Sequence, residues 1–194
     1  MMRKTEISRK TQETDIQLTL NLDGTGQYDI QTGIGFLDHM LSLFAFHAGF
    51  DLTLHAKGDL EVDDHHTVED IGIVLGQAFR KVFGDKKGIN RYGFFLLPMD
   101  EVLARAVVDI SGRYFLYFQA QFKREKIGDL ATENVKEFFQ AFVRESGATL
   151  HLEILTFGND HHQAEALFKS FGRALKSAVQ ITGSKQIPST KGEL

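Results

Sequence analysis

The residues with the most chemical capacity form a signature used twice, His65-His66-Thr67-Val68-Glu69 and His161-His162-Gln163-Ala164-Glu165. Imidazole nitrogens and carboxylate oxygens are the donors a first-row divalent ion takes, so the signature points to a metal-dependent enzyme. On a helix His65 and Glu69 share a face, whereas His65 and His66 point about 100° apart. Adjacent histidines are therefore expected to serve two different ions. Each His-His pair gives one ring to the Glu of its own helix and the other to the ion of the second repeat. With His39 and Glu137 added from the preceding helices, one ion takes His39, His66, His161 and Glu165. The other takes His65, Glu69, Glu137 and His162, with ligands drawn from one chain or from neighbouring copies. Glu137 also fits a solvated helix position beside Phe138-Phe139. Such mixed ligation leaves coordination positions open for substrate, and its carboxylates favour manganese. His47, His55 and His151 read as structural histidines. Asp38, Asp64 and Asp160 read either as carboxylates that orient imidazoles or as helix caps.

The elements that must position these groups follow from periodicity. Ile16, Leu18, Leu20 and Leu22 alternate as a strand. The turn Asp23-Gly24-Thr25-Gly26 is expected to return the chain as a hairpin through Tyr28 and Ile30. Leu37, Met40, Leu41 and Phe44 are spaced as a helix that Gly49 ends, and Leu52 and Leu54 begin a strand. Asp63 or Asp64 caps a second helix, which buries Ile71, Val74, Leu75, Ala78, Phe79 and Val82 before Gly84. From Gly93 the pattern restarts: strands through Phe94–Leu97 and Val102–Val108, the turn Ser111-Gly112-Arg113, and a strand at Phe115 and Tyr117. A helix over 133–146, a strand over 149–156 and a helix over 160–180 complete it. Thr53-Leu54-His55 and Thr149-Leu150-His151 each set their His ten residues before a His-His pair. His39 lies ten residues before Gly49, as Glu137 does before Gly147. The chain is thus an internal duplication of β-β-α-β-α halves in the α+β class, with repeats at about 5–84 and 92–181 and a tail over 182–194. Residues 1–194 are read as one domain.

Composition narrows the function. With no cysteine among 194 residues, disulfides, thiolate nucleophiles and sulfur-held metals are excluded. A net charge of -4 gives no general basic field for nucleic acid or anionic membrane. No apolar run is long enough to span a bilayer, and the opening Met1-Met2-Arg3-Lys4 lacks a signal peptide's apolar stretch, so a cytoplasmic location is expected. Basic and hydroxyl groups at Asn90-Arg91, Ser111-Gly112-Arg113 and Pro188-Ser189-Thr190-Lys191-Gly192 suit a phosphate, although each alone also fits an ordinary surface.

The segments Arg9–Thr14, Asn21–Gly26, Phe36–Leu41, Asp63–Asp70, Lys87–Arg91, Asp109–Arg113, Asp160–His162 and Pro188–Gly192 together resemble imidazoleglycerol-phosphate dehydratases over nearly the whole chain. The resemblance implies a duplicated fold like domain 2 of ribosomal protein S5, two Mn2+ ions per active site and a 24-subunit homo-oligomer with sites between subunits. It also implies removal of water from imidazole-glycerol phosphate to give imidazole-acetol phosphate, a step of histidine biosynthesis. His39, His65, His66, Glu69, His161, His162 and Glu165 match the family's metal ligands. Glu137 stands where many members carry His. Glu13 matches a carboxylate at the substrate, and Arg91, Arg113, Ser189, Thr190 and Lys191 match the surroundings of substrate and phosphate, with His39 beside them. Glu13, Glu69 and Glu165 are the candidates to move protons. A dinuclear hydrolase using the same ions, and a metal-storage protein, are the rival readings.

Overall fold

The computed structural model describes residues 3–194; Met1 and Met2, part of the opening segment read above, lie outside the described residues. The first repeat contains β1 (Lys4–Lys10), β2 (Thr14–Asn21), β3 (Tyr28–Gln31), α1 (Gly35–Ala48), β4 (Asp51–Gly58) and α2 (His65–Phe83). The second contains β5 (Tyr92–Met99), β6 (Val102–Asp109), β7 (Phe115–Gln119), the short strands β8 (Lys126–Ile127) and β9 (Leu130–Ala131), α3 (Thr132–Ser146), β10 (Thr149–Thr156) and α4 (Asp160–Ala178). The duplicated α+β pattern is present; each repeat has a third sheet strand before its first helix, read from the sequence for the second repeat only, and the second repeat adds the short pair β8–β9. In the first repeat that strand is β1, which periodicity missed: Lys-Thr-Glu-Ile-Ser-Arg-Lys carries few apolar residues because β1 is an edge strand burying only Thr5 fully.

The sheets have matching orders, β1-β2-β4-β3 and β5-β6-β10-β7. The expected hairpin between β2 and β3 is therefore not formed. β4 inserts between them, antiparallel to β2 and parallel to β3. The reason lies at Asp51, whose carboxylate accepts the backbone N–H groups of Thr25 and Gln27 at 2.8 and 3.1 Å and draws the turn onto the start of β4.

The four helices lie between the two sheets, and they pair across the repeats, α2 on α3 and α1 on α4. A Cβ on Gly72 would sit 2.6 Å from the Phe138 carbonyl oxygen, and one on Gly76 2.6 Å from that of Phe142, so α2 and α3 touch backbone to backbone. Around this contact Phe44, Phe79, Phe139, Phe142 and Phe171 interlock, with Phe142 and Phe171 edge to face at 5.0 Å between centroids. Ten of the 17 phenylalanines of the sequence are buried in the core, these five among them. Another tie between repeats fixes the start of α1: Asp129, in the β8–β9 turn, accepts the N–H groups of Gly35 and Phe36 at 2.8 and 3.1 Å. Ile34 at the N-cap offers no side-chain cap, so the second repeat provides the anion that the first turn attracts.

Candidate metal centre and substrate pocket

Both doubled signatures open a helix, α2 at His65 and α4 one residue after Asp160. Asp63 accepts the N–H of His65 at 2.8 Å, and the corresponding Asn159 accepts that of His161 at 2.8 Å. These short side chains satisfy orphan donors of the first turn and set the histidines on helical backbone. The adjacent rings then diverge as helical spacing requires, His65 and His66 standing at 73° and His161 and His162 at 87°.

Asp38, Asp64 and Asp160 turn out not to orient imidazoles. Asp38 accepts Thr32 N–H and Oγ1–H at 2.8 and 2.6 Å, Asp64 accepts Ala131 N–H at 2.8 Å, and Asp160 accepts Lys123 and Arg124 N–H at 3.0 and 2.9 Å. All three hold loops against helix starts, because backbone donors lie nearer than any ring. His55 is bonded to Asp29 at 3.0 Å, and His151 packs between Phe115 and Tyr117 on a sheet surface. Burial, with Lys169 and Arg173 nearby, lowers the pKa of His47 and favours its neutral form.

Two groups of donor atoms converge among the described residues: Asp100 with Glu101 and His162 at the surface, and a more buried one built across the repeats. His39 from α1 and His161 from α4 both aim Nε2 at Glu165 Oε1, at 3.0 and 2.8 Å, and the three donor atoms lie within 4.8 Å of one another. Two imidazoles converging on one carboxylate oxygen is a donor set that fits a first-row divalent ion. Glu165 is nearly buried, and burial pushes its carboxyl up. Bonds from Lys169, His39 and His161 outweigh that and hold it at about 2. Lys169, one turn on along α4, was not singled out in the sequence. Its ammonium bonds Glu165 Oε2 and reaches Met99 Sδ at 3.5 Å. A lysine on the buried face of an amphipathic helix, four residues after a signature Glu, is the signal that would have found it.

The remaining candidates are apart from this group. His65 Nε2 is 3.9 Å from Glu69, which also accepts from Arg144 at 3.3 Å. Glu137 lies outside the groups of donor atoms that converge among the described residues. His66 Nε2 faces Glu13 at 3.8 Å, and His162 Nε2 stands 3.9 Å from Asp100. Glu13 sits exposed on the β1–β2 turn, where Thr11 Oγ1 accepts its N–H at 3.1 Å. Asp70 on α2 grips both feet of that turn, accepting from Arg9 at 2.8 Å and from Thr14 at 2.5 Å. The phosphate candidates Arg91, Arg113, Ser189, Thr190 and Lys191 share a cavity of about 770 Å³ that contains none of the imidazoles. Arg91 spends Nε and Nη2 on Asp109 at 2.7 and 3.1 Å and donates from Nη1 to the Pro188 carbonyl at 2.9 Å, so it also ties down the tail.

Fold and site together define a duplicated α+β protein with an imidazole–carboxylate cluster whose donor atoms could hold a divalent ion. A family model described as imidazoleglycerol-phosphate dehydratase matches residues 32–175. Imidazoleglycerol-phosphate dehydratase of Thermoanaerobacter sp. (strain X514) is 61% identical over 194 residues, all of both chains. That of Clostridium botulinum (strain Alaska E43 / Type E3) is 57% identical over 97% of each. The crystal structure of imidazoleglycerol-phosphate dehydratase from Staphylococcus aureus subsp. aureus N315 superposes with a TM-score of 0.84 at 45% identity, covering 92% of this chain and 99% of that one. The Pyrococcus furiosus structure in complex with (S)-C348 gives 0.83 at 37% identity, covering 97% and 100%. The chain belongs to the imidazoleglycerol-phosphate dehydratase family, hydro-lyases of histidine biosynthesis. No helix among the described residues is long and apolar enough to cross a membrane.

Proposed function

We propose that dehydration runs at a centre shared between copies of this chain, where one Mn2+ takes His39, His66, His161 and Glu165 and a second takes His65, Glu69, Glu137 and His162. The observation that carries this reading is the convergence of His39, His161 and Glu165, with His66 held elsewhere in the same chain. A neighbouring copy is the natural source of the missing donor. The same argument applies to the phosphate cavity, which shares no residue with that cluster.

The ions, when bound, supply positive charge at the substrate's ring nitrogens and make the ring an electron sink. Arg113, Ser189, Thr190 and Lys191 hold the phosphate, with Arg91 bracing the tail that carries three of them. The hydroxyl on the carbon beside the ring departs as water once protonated, and Glu13 takes the proton from the next carbon, the middle one of the side chain. The resulting enol becomes the acetol ketone by a further proton shift, for which Glu69 and Glu165 are the available carboxylates. Lys169 keeps Glu165 ionised and in place.

A homo-oligomer is supported by the outer faces of the two sheets. The first presents Glu6, Gln17, Thr53 and His55, all exposed. The second presents Tyr92, Phe94, Leu96, Val107, Phe115 and Tyr117, with Phe94 72% exposed. Matching folds with opposite surface chemistry mark the second sheet as the covered one. Phe94→Asp is expected to shift the assembly to smaller species on size-exclusion chromatography with scattering; an unchanged mass removes this face from the interface.

The site reading is tested by supplying imidazole-glycerol phosphate to the Mn2+-loaded enzyme and its Glu13→Gln variant. Acetol product from the first, and none from the second at unchanged metal content, is expected. Near-normal turnover by Glu13→Gln refutes its role as the base.

A further inference from the structure

Three of the four signature histidines have Nδ1 against an oxygen acceptor. His65 meets Asn134 Oδ1 at 3.0 Å, His66 meets Asp59 Oδ2 at 3.0 Å, and His162 meets Glu101 Oε2 at 3.0 Å. An ionised carboxylate and an amide oxygen only accept, so each Nδ1 carries a proton, and in the neutral ring it is Nε2 that has the lone pair for a metal ion. The fourth ring, His161, already turns Nε2 to Glu165.

Duplication alone does not account for the match. His66 and His162 are corresponding residues of the two repeats, yet their carboxylates come from different places. Asp59 lies four residues after His55, just past β4, and four residues after His151 stands Leu155. The partner of His162 comes instead from the β5–β6 turn. A glycine makes room each time: a Cβ on Gly58 would overlap Thr67 Oγ1 in the first turn of α2, and one on Gly158 would overlap the Glu101 carboxylate. Glu101 is held further by the N–H of Asn159, which donates to Oε1 at 2.6 Å, so its oxygens already face N–H groups.

We propose that Asp59 and Glu101 are positioning residues that fix His66 and His162 with Nε2 presented to a divalent ion, and that Asn134 does the same for His65 through a neutral amide. The proposal rests on the metal-centre reading above. It extends that reading by assigning the ligating nitrogen and by making the two carboxylate-bonded rings the more basic, tighter-binding ones. The tether is also entropic: a ring with one nitrogen fixed has less freedom to lose when the other binds.

The test is titration of the metal-free full-length protein with Mn2+ against a competing chelator, with metal-free melting temperature measured alongside. Asp59→Asn and Glu101→Gln keep the shape and remove the charge; they are expected to weaken Mn2+ binding about 10-fold, and Asp59→Ala and Glu101→Ala up to about 100-fold. Metal-free melting temperatures of the Asn and Gln variants stay at the wild-type value, and 15N shifts of the wild-type histidines report protonated Nδ1. If an alanine variant does not fold, its isosteric partner carries the test alone. Wild-type affinity in Asp59→Asn and Glu101→Gln overturns the proposal, as does a loss of affinity matched by a fall in metal-free melting temperature. A wild-type protein that binds no Mn2+ instead overturns the metal-centre reading, and this inference with it.

Discussion

Replacing Glu165 with Gln lowers turnover by about 10²–10³-fold, the size of effect seen when a preorganised charged or hydrogen-bonding group is lost from a reacting centre. The substitution keeps the volume, so the packing of α4 on α1 is retained. What disappears is the oxygen charge on which His39 Nε2 and His161 Nε2 converge, together with the partner of the Lys169 ammonium. Lys169 would then lie largely buried without its anion, and its charge would oppose a cation bound nearby. Metal analysis after gel filtration is the decisive measurement: metal loss is expected with turnover loss, and full metal content with wild-type turnover would remove Glu165 from the centre. A second signature appears in the metal-free protein at acid pH. The folded carboxyl of Glu165 sits at about 2, below its ordinary range. The stability it contributes is therefore present above its unfolded value, near ~4.3, and is lost as pH falls through the folded one. Acid unfolding curves of wild type and Glu165→Gln should converge toward pH 2 and separate above pH 4.

Gly72→Ala is expected to destabilise the protein, although glycine to alanine within a helix ordinarily gains up to about 1 kcal/mol. The steric effect wins. A Cβ there would stand 2.6 Å from the Phe138 carbonyl oxygen and 2.9 Å from Ala141 Cβ, and neither the backbone nor a helix residue's Cβ can swing aside. Pushing α2 off α3 would open the phenylalanine cluster behind the contact, and overpacking of this kind costs about 1–3 kcal/mol. For a chain of this length that lowers the melting temperature by roughly 2–12 °C. Thermal unfolding by circular dichroism checks the sign. A higher melting temperature would mean that the helices can separate without loss.

These two positions also divide what the residues announce from what folding has to supply. The doubled His-His-x-x-Glu signature, the ten-residue spacing to His55 and His151, and the helical and alternating apolar runs placed α1, β4, α2, α3, β10 and α4 within a few residues of their observed bounds. Such features are local, because side-chain periodicity and capping act over one or two turns of chain. Strand order was not local. Ile16 to Ile30 reads as a hairpin until β4, twenty residues further on, displaces β3 from β2 through the hold of Asp51 on the turn. The pairing of α1 with α4 and α2 with α3, which makes one phenylalanine core from two repeats, likewise depends on which faces meet. The site shows the same division. The sequence alone determined the donor types, the absence of sulfur ligands and the divergence of adjacent rings, since these follow from residue identity and helical geometry. Only the tertiary structure decided that His39 and His161 meet at Glu165, that Lys169 neutralises it, and that Asp59, Asn134 and Glu101 rather than Asp38, Asp64 and Asp160 face the imidazoles. A hydrogen bond is chosen by distance in space, and those partners lie up to 69 residues away along the chain.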